Sequence, residues 1–397
     1  MLTTQKEIST STRVLSVPVK VHVVDPSAYT PFYDHALCAA LARAGVQVEL
    51  FTSRFAYATA PEPDGYARRE LFYRAARGGP SSSLRRATKL AEHVPDMLRY
   101  RAAAARAELV HFQWLALPQL DGALLPRRRP LVLTAHDVLA REPSAWQRAA
   151  QRRLYRRMDA VIAHSEHGRG RLIDELELPP ERVHTIPIGA IDYLAREPAA
   201  PLPPELDDTG APVVLCFGLI RPYKGVDVLL DAWQGITDAQ LWIVGRPRFD
   251  IGPLRARAGQ NVRWVTRYVT DGELAACFRR ADVVVLPYRE IEQSGVLATA
   301  LAFASPLVLS DVGGFAEVAS AGAARLVPAG DPPALADALT GLLSDPAERA
   351  RLASAAGALA SGEWSWRRVA ERTKTLYASL LSCTERRAAE PAPASGS

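Results

Sequence analysis

Two loops concentrate the residue types that can do chemistry. In FGLIRPYKGVDVLLDAW (residues 217–233) an apolar run ends at Phe217, Gly218 opens a loop carrying Arg221 and Lys224, and helical spacing begins near Val226. Two cations beside the amides of a helix start suit a phosphate or diphosphate. The same residues also read as solvated loop cations beside a turn-permitting glycine, and the loop alone does not choose between these. In ADVVVLPYREIEQSGVLATALAFASP (residues 281–306) a polar turn of Glu292, Gln293, Ser294 and Gly295 separates an apolar strand from an apolar helix. Ser294 reads as an N-cap, which is worth ~1 kcal/mol. A carboxylate entering an apolar helix needs partners, and Glu292 can accept two hydrogen bonds from vicinal sugar hydroxyls. The amides of Gly295 and Val296 point the same way, toward an anion.

Other polar residues cluster at strand ends in the first half. His136 and Asp137 lie in TAHDV, where a lone histidine reads first as a group satisfying a strand-end hydrogen bond. Asp25, Ser27, Tyr29, Tyr33 and Asp34 follow the first strand. They can hydrogen-bond an acceptor sugar or polyol, or serve as turn and cap residues. His111 and Trp114, in VHFQW, pose the same choice between stacking on a sugar ring and packing, and His164 and Ser165 repeat it more weakly.

Elements positioning these residues follow from the pattern. Apolar runs VKVHVV, VQVELF, ELVHF, PLVLTAH, DAVIAHS and RVHTIPIG, then VVLCFG, QLWIVG, VRWVT, DVVVLP, PLVLSD and AARLVP, alternate with helical spacing. Strands apolar on both faces with intervening helices imply parallel βαβ units, whose ligands bind at the carboxyl ends of strands. A proline-dense stretch, residues 196–212, reads as a linker. The expected architecture is two doubly wound, Rossmann-like α/β domains: residues 1–195, then 213–363, a C-terminal helix over 364–385 packing back toward the first domain, and a disordered tail over 386–397.

The 397 residues suit two domains, and 48% hydrophobic with 23% charged residues is the balance of a globular enzyme. The first residues lack the apolar core of an export signal and no run is long enough to span a bilayer, so the expected location is the cytoplasm. Cys38, Cys216, Cys277 and Cys383 lack paired spacing, which argues against a disulfide framework or a zinc site. Two arginine-rich segments stand out: Arg148, Arg152, Arg153, Arg156 and Arg157 on one helix, and residues 81–109 as a cationic amphipathic stretch. They read as solvated faces, or as peripheral contacts at the inner face of a membrane. No nucleic-acid module is recognisable.

The pair of motifs FGLIRPYKGVDVLL and PYREIEQSGVLATALAFASPLVLSDVGGFAEV resembles the donor-binding signature of family 4 retaining glycosyltransferases, with a QSGV-type loop and the two-domain GT-B fold. TAHDV, VIAHSEHGRGRL before VHTIPIGA, and VTRYVTDGELAACFRRADVVVLPY extend the resemblance over most of the chain. It implies transfer of a sugar from a nucleotide diphosphate sugar (UDP- or GDP-linked) to an acceptor hydroxyl, in polysaccharide, glycolipid or glycoconjugate synthesis. It implies two domains facing across a cleft, retention, no cofactor and no metal. By the resemblance, Lys224 and Arg221 hold the diphosphate, although Leu219 stands where the family has an arginine. Glu292 faces the donor sugar hydroxyls, with Gly218, Ser294, Gly295 and Val296 around sugar and phosphate. The base lies against Arg267, Tyr268 and Val269, near Gly245 and Arg246. His136 sits near donor sugar and acceptor, and Ser27, Tyr33, Asp34 and Trp114 lie on the acceptor side. The family's second glutamate, which grips the ribose, falls on Ala300. That departure, with the displaced arginine, keeps open an inactive nucleotide-sugar-binding protein, and an epimerase of the same architecture is the enzyme alternative.

Overall fold

The computed structural model describes residues 19–56, 59–79, 82–138, 144–198 and 200–389. The N-terminal residues examined for an export signal and the last eight of the tail lie outside the described residues. The strands are β1 Lys20–Asp25, β2 Gln47–Ser53, β3 Ala67–Phe72, β4 Leu109–Phe112, β5 Leu131–Thr134, β6 Ala160–Ala163 and β7 Val183–Thr185, then β8 Val213–Phe217, β9 Gln240–Val244, β10 Val262–Val265, β11 Val283–Leu286, β12 Leu307–Ser310 and β13 Ala324–Val327. They form two sheets, ordered β3-β2-β1-β4-β5-β6-β7 and β10-β9-β8-β11-β12-β13. The registered pairs are parallel, as the alternating pattern requires.

Both faces of the second sheet are covered, which explains the uninterrupted apolar runs. Val214 and Cys216 of β8 join Leu241, Ile243 and Val285 in one core cluster. Their neighbours Val213 and Leu215 join Trp242, Val284 and Leu286 in another. Alternate residues of a strand point to opposite faces, so the two clusters are the two sides of one sheet.

β3 has no counterpart in the apolar runs. It pairs only with β2 at the sheet edge, and its Arg68, Arg69 and Glu70 make it a charged strand that sequence pattern does not reveal.

By packing, the chain divides into two compact units, residues 1–133 with 156–159 and 370–397, and residues 134–155 with 160–369. In the second unit Trp366 packs on Gly189 and its Nε1 donates to the Ala190 carbonyl at 2.8 Å. In the first, Tyr377 Oη lies 2.7 Å from His111 Nδ1, and Lys374 Nζ donates to the Ala44 carbonyl at 2.6 Å. The last helix, Trp366–Ala389, runs past residue 385 into residues expected to be tail, because helix formers continue there.

Candidate functional site

In the second sheet the chain steps outward from β8 to β9 and β10, then returns to β11 on the other side of β8. This reversal opens a crevice at the carboxyl ends of β8 and β11. The two chemistry-bearing loops follow those two strands.

Glycines let the loops approach backbone to backbone. Gly245, at φ +151°, would carry a methyl 2.0 Å from the Gly218 carbonyl oxygen, and Gly225, at φ +66°, one 1.9 Å from that of Pro287. Any other residue would collide with main chain that cannot give way. Gly218 itself lies between Lys224 Nζ and Val296, each 3.0 Å from where a methyl would stand. The fold therefore brings together Gly218, Lys224 and Val296.

Behind them sits Tyr288, which sequence reasoning missed. Lys224 Nζ donates to Tyr288 Oη at 2.8 Å and lies 4.6 Å from the ring centroid. The phenol is fully buried, and burial pushes its pKa far above the usual range, with a hydrogen bond from Ser294 opposing. Ser294 also caps the helix Gly295–Ala302, accepting from the Leu297 amide at 3.2 Å. It is thus a cap and a link to the lysine at once.

A cavity of about 1260 Å³ opens beside these loops, within the second unit. Arg221, Glu292, Gln293 and Gly313 line it, with Asp137, Arg148 and Arg171 from earlier in the chain. Arg289 also reaches it, but its guanidinium is held by Asp227 through bonds of 2.8 and 2.6 Å. Glu292 Oε1 is gripped by Arg171 Nη1. Arg171 also holds Glu175 at 2.6 and 2.8 Å, and that bond keeps the Glu175 carboxyl below its usual pKa. Glu292 Oε2 and Gln293 Oε1 are buried without a partner among the described residues. A buried acceptor left unsatisfied costs about 1–3 kcal/mol, which hydroxyl donors of a ligand would recover. Arg171 sits in HGRGRL, where nothing local separates it from a surface cation.

The remaining sequence candidates fall into separate groups. His136 is only 2% exposed, and its Nδ1 lies 3.3 Å from His164 Nε2. His164 Nδ1 faces the Ile186 carbonyl at 3.0 Å, and burial lowers its pKa to about 4. A neutral His164 donating from Nδ1 makes His136 the donor in their shared bond. It is the next residue, Asp137, that lines the cavity. Arg246 lies over the Tyr268 ring at 5.5 Å; Tyr268 is 62% exposed and Val269 packs against the core. Arg267 is held by Glu205 and Glu273, and the bond lowers the Glu273 pKa to about 2. Ala300 is fully buried beside Leu297 and Leu301, so a ligand does not meet that position.

In the first unit the analogous reversal lies between β1 and β4; Ser27 follows β1 and Trp114 follows β4, while Tyr33 and Asp34 stand in the first turn of the helix Pro31–Arg43. Asp25 accepts from the amides of Ser27, Tyr29 and Thr30 at 3.1, 2.6 and 3.2 Å. Trp114 Nε1 donates to Thr30 Oγ1 at 3.0 Å, and the ring meets Tyr29 edge-on. Burial and the Asp25 charge hold the Asp34 carboxyl well above the ordinary carboxylate range.

Comparison with known proteins adds an independent line. Residues 33–190 match the model described as Glycosyltransferase Family 4, and residues 211–345 the one described as Glycosyl transferases group 1. A phosphatidyl-myo-inositol mannosyltransferase of Mycobacterium leprae is 39% identical over 50% of this chain, which spans only about half, 54%, of that relative. A D-inositol 3-phosphate glycosyltransferase of Kineococcus radiotolerans is 28% identical over 87% of this chain and 89% of its own length. Among solved structures, sucrose-phosphate synthase of Thermosynechococcus elongatus aligns with a TM-score of 0.68 at 22% identity, covering 92% of this chain and all of that one. The Anabaena protein HepE in complex with UDP-glucose aligns with a TM-score of 0.70 at 18% identity, covering 91% and 100%. At such identities the structural likeness establishes the fold alone.

Proposed function

Since the chain belongs to glycosyltransferase family 4 and has its GT-B fold, we propose that it moves a sugar, with retention, from a nucleotide diphosphate sugar to an acceptor hydroxyl. One observation carries the reading: Glu292, one carboxylate oxygen held by Arg171 and the other buried without a partner among the described residues, lines a cavity of about 1260 Å³ that also holds Arg221. In this mechanism the bond from the anomeric carbon to the diphosphate oxygen breaks, the acceptor oxygen bonds to that carbon on the same face, and charge builds on the departing diphosphate. Arg221, Lys224 and the amides of Gly295 and Val296 stabilise that charge without a metal ion, an arrangement fixed before reaction and effective in a dry site. Lys224 reaches the diphosphate by leaving or sharing its bond to Tyr288. Glu292 and Gln293 accept from sugar hydroxyls, and a phosphate oxygen of the donor takes the acceptor proton on the attacked face.

The nucleotide base lies by Arg246 and Tyr268, whose cation–π pair offers an exposed stacking surface. The HepE complex supports a UDP-linked donor, and GDP remains the competing base. Ser27, Tyr33, Asp34 and Trp114 bind an acceptor bearing several hydroxyls; relatives named for inositol acceptors support a polyol. Glycolipid or glycoconjugate synthesis in the cytoplasm is the setting this reading implies. The test is Lys224→Ala assayed against UDP- and GDP-sugars. Transfer should fall by roughly a hundredfold to a thousandfold with the circular dichroism spectrum unchanged. Undiminished transfer would remove the diphosphate assignment.

A further inference from the structure

The helix Ser83–Ala103 carries its polarity inside out. Its buried residues are His93, Asp96, Met97 and Tyr100. His93 bridges Tyr73 Oη at 2.7 Å and Asp121 Oδ1 at 2.6 Å, and Asp96 accepts from the Tyr73 amide at 2.7 Å. The outward residues are apolar: Leu84, Leu90, Val94 and Leu98 are 57, 59, 37 and 50% exposed. Ala87, Ala91 and Pro95 are exposed among them. At about 100° per residue, the four large side chains fall in an arc of roughly 120°, and they run some 21 Å along the axis. Arg86 and Arg99 border this stripe on either side, and the helix carries five arginine and lysine residues against Glu92 and Asp96.

We propose that this face docks on an anionic lipid bilayer, with the leucines in the headgroup–acyl boundary and the bordering arginines among the lipid phosphates. A contiguous exposed apolar stripe of this length is a binding surface rather than scattered surface leucines. Its charge identifies the occupant. A second copy of the chain would bring arginine borders against arginine borders, whereas anionic headgroups complement both, and long arginine side chains reach them from beside a buried apolar strip. The proposal stands independently of the transfer reaction, because the stripe shares no residue with the cavity.

The experiment is co-sedimentation of the full chain with vesicles of phosphatidylcholine alone, or containing about one-quarter phosphatidylglycerol. The wild type should pellet with the anionic vesicles about tenfold more strongly than with the neutral ones, and less as salt rises. Leu90→Asn with Leu98→Asn should weaken anionic binding at least about tenfold, and Arg86→Gln with Arg99→Gln several-fold. The leucine pair lies on the surface, so its melting temperature should match the wild type; Arg99 donates to the buried Asp96 at 2.7 Å, and a glutamine amide there still offers a donor without reversing the charge. Wild type remaining in the supernatant, or either pair binding as the wild type does, overturns the proposal. So does an elution volume showing a dimer that the leucine pair disrupts while vesicles capture nothing, which assigns the stripe to a second copy.

Discussion

Glu292 owes its orientation to a residue distant in sequence. Arg171 takes one carboxylate oxygen and leaves the other buried without a partner among the described residues, in a side chain that lines the cavity, an arrangement that only folding creates. Replacing Arg171 with Met should raise the KM for the sugar nucleotide roughly tenfold to a hundredfold while free nucleotide diphosphate binds nearly as before. Arg171→Lys should recover part of the loss. Equal weakening of sugar nucleotide and free diphosphate, measured by calorimetry, would move Arg171 to the phosphate end. Tyr288 is the second residue of this kind: its hydroxyl contacts Lys224 and Ser294, two positions recognisable in the motifs, yet a tyrosine ending an apolar run reads as core. Tyr288→Phe should lower kcat/KM about tenfold and stability by about 1 kcal/mol, seen in steady-state rates and urea titration. His136 is a contrasting case: sequence similarity points to its position, its Nδ1 faces His164 at 3.3 Å, and the neighbouring Asp137 lines the cavity.

At the scale of elements, what could be read in the sequence was what is encoded locally. Apolar runs covered on both faces announce their strands, and loops with Gly218, Gly225 and Ser294 announce the turns and caps that follow. The edge strand β3 escaped because three of its six residues are charged and two of those, Arg69 and Glu70, are exposed. Contacts that close the site, Gly225 on Pro287 and Gly245 on Gly218, join loops from different strands and depend on sheet order, which periodicity does not supply. Gly225 gives the sharpest test. Its positive φ and the 1.9 Å approach to the Pro287 carbonyl act together, so Gly225→Ala should cost about 2–4 kcal/mol, seen as a drop in Tm, and should displace Lys224. An alanine tolerated with full stability would mean that the loop can open without consequence for the sheet.

For the whole molecule, buried ionisable groups set how stability follows pH. His22 is buried between Phe51, at 4.5 Å, and Tyr100, at 6.2 Å; neither ring nitrogen has a hydrogen-bond partner among the described residues, and burial lowers its pKa to about 4. His164 is depressed to about 4 as well. Unfolding raises both toward about 6.5, so the unfolded chain binds more protons between those values. Their contribution is complete above pH about 6.5 and is lost as pH falls toward 4. The Asp25 and Asp34 carboxyls, raised chiefly by burial and facing each other, act in the reverse sense: the folded state holds their proton longer, and that stability declines as pH rises. The wild-type profile therefore mixes opposing slopes, and a difference isolates one of them. His22→Phe keeps an aromatic ring of similar shape among aromatic neighbours and removes the titration. Its stability relative to wild type should increase as pH is lowered from about 6.5 to 4, by on the order of 2 kcal/mol, followed by urea unfolding at each pH. A gap that stays constant with pH would mean that His22 takes up its proton in the folded state as easily as in the unfolded one, and acid sensitivity would then rest on the remaining groups, His164 first among them.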